Sequence, residues 1–161
     1  MLLRSFRSQR GLTLIELVIA MAILAILAAT VLPLSEVTVT RTKELELKRA
    51  LRDIRTALDA YKVDYDKAVA EKKINATVGE SGYPAELELL LEGNDWGGLY
   101  SYRKKYLRRL PRDPFDTYGD GWGMRSYADE ADSSVWGGED VYDVYSQSDG
   151  IALDGTYYRD W

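Results

Sequence analysis

A chain of 161 residues with 46% hydrophobic and 29% charged residues has the composition of one folded domain plus an extension, not of a disordered tract. It contains neither cysteine nor histidine, which excludes disulfides, thiolate metal sites, cysteine nucleophiles and every histidine-dependent catalytic arrangement. The formal net charge of −5 argues against a general nucleic-acid binder, because neutralising phosphates takes a basic surface.

The charges are divided along the chain. Arg4, Arg7 and Arg10 fall within residues 1–11, with no acid among them. Residues 12–34 are almost wholly apolar and hold one charge, Glu16. As a helix this run is long enough to cross a hydrocarbon core of about 30 Å. Because the arginines precede it, the positive-inside rule puts residues 1–11 in the cytoplasm and the remainder outside. A cleaved secretory signal is the plainer alternative, with Ala20-Met21-Ala22 as its candidate cleavage site. Glu16 sits inside the apolar run, however. A carboxylate at the centre of a membrane helix costs roughly 2.5–3.5 kcal/mol and is by default functional. A carboxylate close enough to the interface to snorkel is the other account of it.

The helical pattern continues past the apolar run, predicting one helix from about residue 12 to about residue 69. Leu47, Leu51, Ile54, Leu58, Tyr61 and Tyr65 recur at helical spacing and form an apolar stripe. Such a stripe is either a short coiled-coil seam or, more commonly, a helix packed on its own globular domain. Pro33 removes one helical hydrogen bond and marks a kink or the exit from the membrane. Residues 74–81 read as loop, and a short helix is predicted over 84–91, opened by Pro84 and closed by Gly93-Asn94.

Residues 100–109 are basic and aromatic, and in isolation suggest stacked bases. A simpler account pairs them with the acidic C-terminal region, within a subunit or between subunits. From Asp113 to Trp161 there are twelve Asp and Glu against two bases, Arg125 and Arg159. Glycines and Asp-rich turns there separate short strands predicted near 123–128 and 140–146. The fold class is α+β: a long N-terminal helix packed on a small antiparallel sheet.

The string Gly11-Leu12-Thr13-Leu14-Ile15-Glu16-Leu17, behind its basic leader, resembles the class III signal of type IV pilins and type II secretion pseudopilins. Leu12 departs from the phenylalanine more common at its position. The resemblance implies a type IV pilin-like fold and cleavage by prepilin peptidase between Gly11 and Leu12, with N-methylation of Leu12. It also implies that Glu16 meets the new N-terminal amine of a neighbouring subunit, and Pro33 matches a proline of the family. The organisation expected is a leader over 1–11, a transmembrane and filament-core helix over 12–34 and a periplasmic head over 35–161. The head divides into an amphipathic helix over about 35–69, a loop and short helix over about 70–112, and sheet with an acidic loop over about 113–161.

The stretch Leu110-Pro111-Arg112-Asp113-Pro114-Phe115-Asp116 narrows the resemblance to the major pseudopilins of type II secretion. So do Val141-Tyr142-Asp143-Val144-Tyr145-Ser146-Gln147-Ser148-Asp149-Gly150 and the closing Trp161. That likeness implies a structural subunit, not an enzyme. It would sit single-pass in the bacterial inner membrane and polymerise into a periplasmic pseudopilus that drives folded proteins through an outer-membrane secretin. Its partners would be its own copies, minor pseudopilins, prepilin peptidase, an inner-membrane assembly platform, the secretin indirectly and the exported proteins, with no nucleic acid.

Such pseudopilins commonly order the C-terminal loop with calcium, which takes six to eight oxygens. Asp149, Asp154 and Asp160 are the ligands expected here. The loop is shorter than the family's and has Tyr157 where an aspartate would fall, so a solvated acidic turn is the alternative. A type IV pilus subunit or minor pseudopilin, serving adhesion, motility or DNA uptake, is the nearest alternative function. A membrane-tethered glycosidase would need two carboxyls about 5–10 Å apart in a cleft.

Overall fold

The structure is a computed structural model that describes residues 11–77 and 79–161; the side chains of residues 30–35 are not among the described ones. The leader arginines therefore lie outside the described residues. The elements are, in order, α1 (Leu14–Ala70), α2 (Leu89–Glu92), β1 (Trp122–Arg125), β2 (Asp143–Ser146) and a 3₁₀ turn (Tyr158–Asp160). The chain forms two units, one ending at Val39 and the other Thr40–Trp161.

The second unit is built on the predicted stripe. Leu47, Leu51, Ile54, Leu58 and Tyr61 are buried, and Tyr65 packs half-buried against the same core. Leu87, Leu90, Trp96, Trp122, Val141, Val144 and Tyr158 close over them. The stripe is thus a helix covered by its own head and not a coiled-coil seam. Each fully buried Leu or Ile contributes roughly 1.5–3 kcal/mol by leaving water.

The sheet is two antiparallel strands, in the register Trp122↔Ser146, Gly123↔Tyr145, Met124↔Val144 and Arg125↔Asp143. Both strands are shorter than the sequence pattern predicts. Gly123 lacks a side chain for a local reason: a Cβ there would run into the Tyr145 ring lying across it. The Arg125 guanidinium covers that ring at 4.1 Å from its centroid. Asp143 is shared by Arg55 of α1 at 2.6 Å and Arg125 at 3.6 Å, which ties the hairpin to the helix.

The predicted helix over 84–91 begins late. The Pro84 carbonyl accepts from Val141 N at 2.7 Å, and residues 86–91 start with i→i+3 bonds, so only Leu89–Glu92 is α-helical. The Leu110–Asp116 stretch acts as a bracket. Pro111 O accepts from Trp122 Nε1 at 2.9 Å, and the buried Asp113 accepts from Ser146 Oγ at 2.5 Å. Asp116 receives the backbone N–H groups of Tyr118, Gly119, Asp120 and Gly121. Those donors, Gly121 and Gly119 foremost, hold its carboxyl below the usual range.

A buried polar cluster fixes the top of the stripe. Asp64 accepts from Tyr100 OH at 2.7 Å and Tyr106 OH at 2.6 Å, and pairs with Lys104 Nζ at 2.6 Å. Burial works against ionisation of Asp64, but Lys104, Tyr106 and Tyr100 outweigh it and hold the carboxyl below its ordinary value. Burial and the bond to Asp64 push the Tyr106 phenol far up.

Candidate processing and assembly site

The first unit presents the segment on which the expected cleavage falls. Gly11 lies ahead of α1, and a Cβ at that position would meet nothing within 4 Å. Among the described residues, packing gives no reason for glycine there. Leu12 is 76% exposed and Leu14 83%.

Thr13 and Glu16 open α1 as a reciprocal cap. Thr13 Oγ1 accepts from Glu16 N at 3.3 Å, and Glu16 Oε2 accepts from Thr13 N at 3.5 Å. This is the capping box, in which a Thr and a Glu three residues on satisfy two orphan helix-terminal donors. Leu17 N donates to Thr13 O at 3.1 Å as the first regular helical bond. The Thr-x-x-Glu spacing is legible in the sequence, embedded in the apolar run.

Around Glu16 the helix is apolar on every side and uncovered. Ile15, Leu17, Val18, Ile19, Met21, Ile23, Leu24, Ile26 and Leu27 are all more than half exposed in the single chain. A helix apolar all round is stable only where lipid or other helices cover it. Among the described residues no helix is long and apolar enough to cross a membrane. The span expected over 12–34 includes residues 30–34, whose side chains lie outside the described ones. Pro33 falls within α1, and its side chain is among those not described.

The C-terminal loop is a small self-contained turn docked on α1. Ala152 N donates to Thr156 O at 2.8 Å and Gly155 N to Ala152 O at 2.9 Å. Leu153 N and Tyr158 OH both donate to Glu44 Oε1, at 2.7 and 3.3 Å. Lys48 Nζ lies 3.9 Å over the Trp161 ring. Glu44 and Lys48 thus receive the loop, a role the sequence pattern did not reveal.

The three aspartates expected to bind calcium do not converge. Asp154 accepts from Thr156 Oγ1 at 2.7 Å and Thr156 N at 3.0 Å, which lowers its pKa and closes its own turn. Asp149 Oδ1 lies 3.7 Å from Arg159 Nη1, and Asp160 Oδ1 lies 3.9 Å from Arg159 Nε. A guanidinium stands between the two carboxylates. Among the described residues no group of three or more acidic side chains is placed to hold a metal ion. Asp149, Asp154 and Asp160 thus do not form one shared carboxylate cluster in the single chain.

The basic 100–109 run does not pair with the acidic C-terminal region inside the subunit. Its one ion pair among the described residues is Lys104 with Asp64 of α1.

Residues 6–32 match the family model for the prokaryotic N-terminal methylation motif. The type II secretion system core protein G of Klebsiella michiganensis is 28% identical over 110 residues, covering 68% of this chain and 70% of that protein. The core protein G of Pseudomonas aeruginosa is 29% identical over 138 residues, covering 80% of this chain and 94% of that protein. No solved structure matches the chain.

Proposed function

From the methylation motif that this chain carries, and its homology to type II secretion system core protein G over most of its length, we propose that it is the body subunit of a secretion pseudopilus. Prepilin peptidase cuts between Gly11 and Leu12 and methylates Leu12. The apolar helix then anchors the chain in the inner membrane with the head in the periplasm. An assembly platform lifts subunits into a filament in which neighbouring helices cover one another, and the growing filament pushes folded proteins through the secretin. Minor pseudopilins start that filament. The chain has no Walker-type glycine loop, so the energy comes from a separate ATPase.

The observation that carries this is Glu16. It is the one charge in the apolar run over 12–34, whose described side chains are exposed in the single chain, and it is the fifth residue after the cut. Cleavage creates a cation at Leu12 that shares the same apolar surroundings. A subunit that docks in register brings one copy's amine to the next copy's Glu16 and offsets both desolvation penalties. A subunit out of register leaves both charges unmatched, a large penalty in a low-dielectric core.

Intact mass of the chain extracted from membranes of a host with prepilin peptidase tests the processing step. The mass expected begins at Leu12 with one added methyl group. A chain starting after Ala22, or still carrying its arginine leader, contradicts the assignment.

A further inference from the structure

The Thr40–Trp161 unit carries a groove of about 1080 Å³ between α1 and the 106–112 segment, with Arg49, Arg52, Arg108, Arg109 and Arg112 in its walls. All five are exposed. None makes an ion pair or a side-chain hydrogen bond among the described residues. Glu46 and Asp53 share the walls and are likewise unpaired, so two carboxylates stand against five guanidiniums. In a chain of net charge −5, that excess of cations in one concavity is a local design and not a reflection of composition.

The complementary surface lies elsewhere on the same head. The loop over 129–139 is closed at its base by Asp129, which accepts from Ser126 N at 2.7 Å and Gly137 N at 3.0 Å. Asp140 completes the closure by accepting from Ser81 Oγ and Tyr127 N. Between these anchors Glu130, Asp132 and Glu139 are exposed and have no cationic partner among the described residues. Glu86, Glu88, Glu92 and Asp95 are exposed as well. They lie on a segment whose Leu87 and Leu90 are buried in the core. The 129–139 loop carries Asp129, Glu130, Asp132 and Glu139 with no basic residue among them, and Glu130, Asp132 and Glu139 are exposed.

We propose that the arginine groove of one copy receives the 129–139 loop of the next. Groove and loop are different surfaces of one chain, so the contact is head-to-tail and propagates as an open helical filament instead of closing as a two-fold dimer. Arginine forks suit carboxylates in two-bond geometry, and such rim charges set register and encounter rate more than raw affinity. The inference rests on the polymer proposed above and adds a second determinant of register, outside the apolar helix.

The test uses the full chain in a host whose secretion machinery supports polymer growth, with polymer sheared from cells and quantified. Reversing two walls, with Arg108→Glu and Arg109→Glu, is expected to lower polymer yield about tenfold. Adding Glu130→Arg and Asp132→Arg to that variant is expected to restore it. A reversed groove that polymerises at wild-type yield, or a double reversal that stays defective while its head melts normally, overturns the inference and leaves polymerisation standing. Cysteine cross-linking is independent of how the charge variants fold, because the native chain has no thiol. Co-expressed chains carrying Arg109→Cys and Asp132→Cys should form a disulfide dimer in the polymer, and neither should alone. Polymers without that dimer overturn the groove contact. A wild-type chain that never polymerises overturns the function on which the contact rests.

Discussion

Glu16 uses one oxygen to hold the first turn of its own helix, since Oε2 reaches Thr13 N while Thr13 Oγ1 answers Glu16 N. Its other oxygen is the one that the proposed pairing with an incoming amine would use. Asp64 does comparable work in the head, where three donors converge on one buried carboxylate. Its folded pKa lies below the ordinary 3.8. The stabilisation is therefore complete above that value and is lost as pH falls through the lowered folded one. Asp64→Asn should cost roughly 2–3 kcal/mol at neutral pH, the scale of hydrogen bonds to a charged group. It should also shrink the fall in melting temperature between pH 7 and pH 3. A variant whose acid-induced fall equals that of the native chain contradicts this account of the cluster. Nothing in the sequence singles Asp64 out among the charged residues of α1. Its partners Tyr100, Lys104 and Tyr106 come from a distant segment, and only the folded chain brings them to it.

At the scale of elements, periodicity was enough for α1 because burial repeats along a single helix face. Leu47, Leu51, Ile54 and Leu58 could be placed in the core from spacing alone. The sheet was harder, since each strand has only four residues and its pattern depends on a cross-strand partner. Gly123 shows why: its meaning lies in the Tyr145 ring opposite. Gly123→Ala should destabilise the head by about 1–3 kcal/mol through overpacking, measured by chemical denaturation. An unchanged midpoint would mean that the ring is free to move aside.

The C-terminal loop was legible as an acidic turn, but not how its carboxylates are satisfied. Arg159, Thr156 and the loop's own backbone serve them. Adding calcium to the full chain in detergent should leave the head's melting temperature unchanged. A rise that Asp149→Ala abolishes would restore Asp149 as a calcium ligand.

Across the whole molecule, two kinds of surface are left unsatisfied in a single copy. One is the apolar stretch of α1 over residues 14–29, whose side chains are exposed. The other is the arginine groove with its acidic counterpart on the same head. In the proposed filament further copies of the chain would cover both, the first without directional preference and the second only in a defined register. The hydrophobic effect favours bundling helices in any register; matched charges select one. Glu16 is the charge for which a mismatch is most costly, because it lies in the apolar run itself. The direct measurement is the yield of sheared polymer from cells expressing Glu16→Ala beside the native chain at equal membrane levels. Loss of polymer with normal cleavage at Gly11 is the result expected, and polymers growing at native yield would contradict the account.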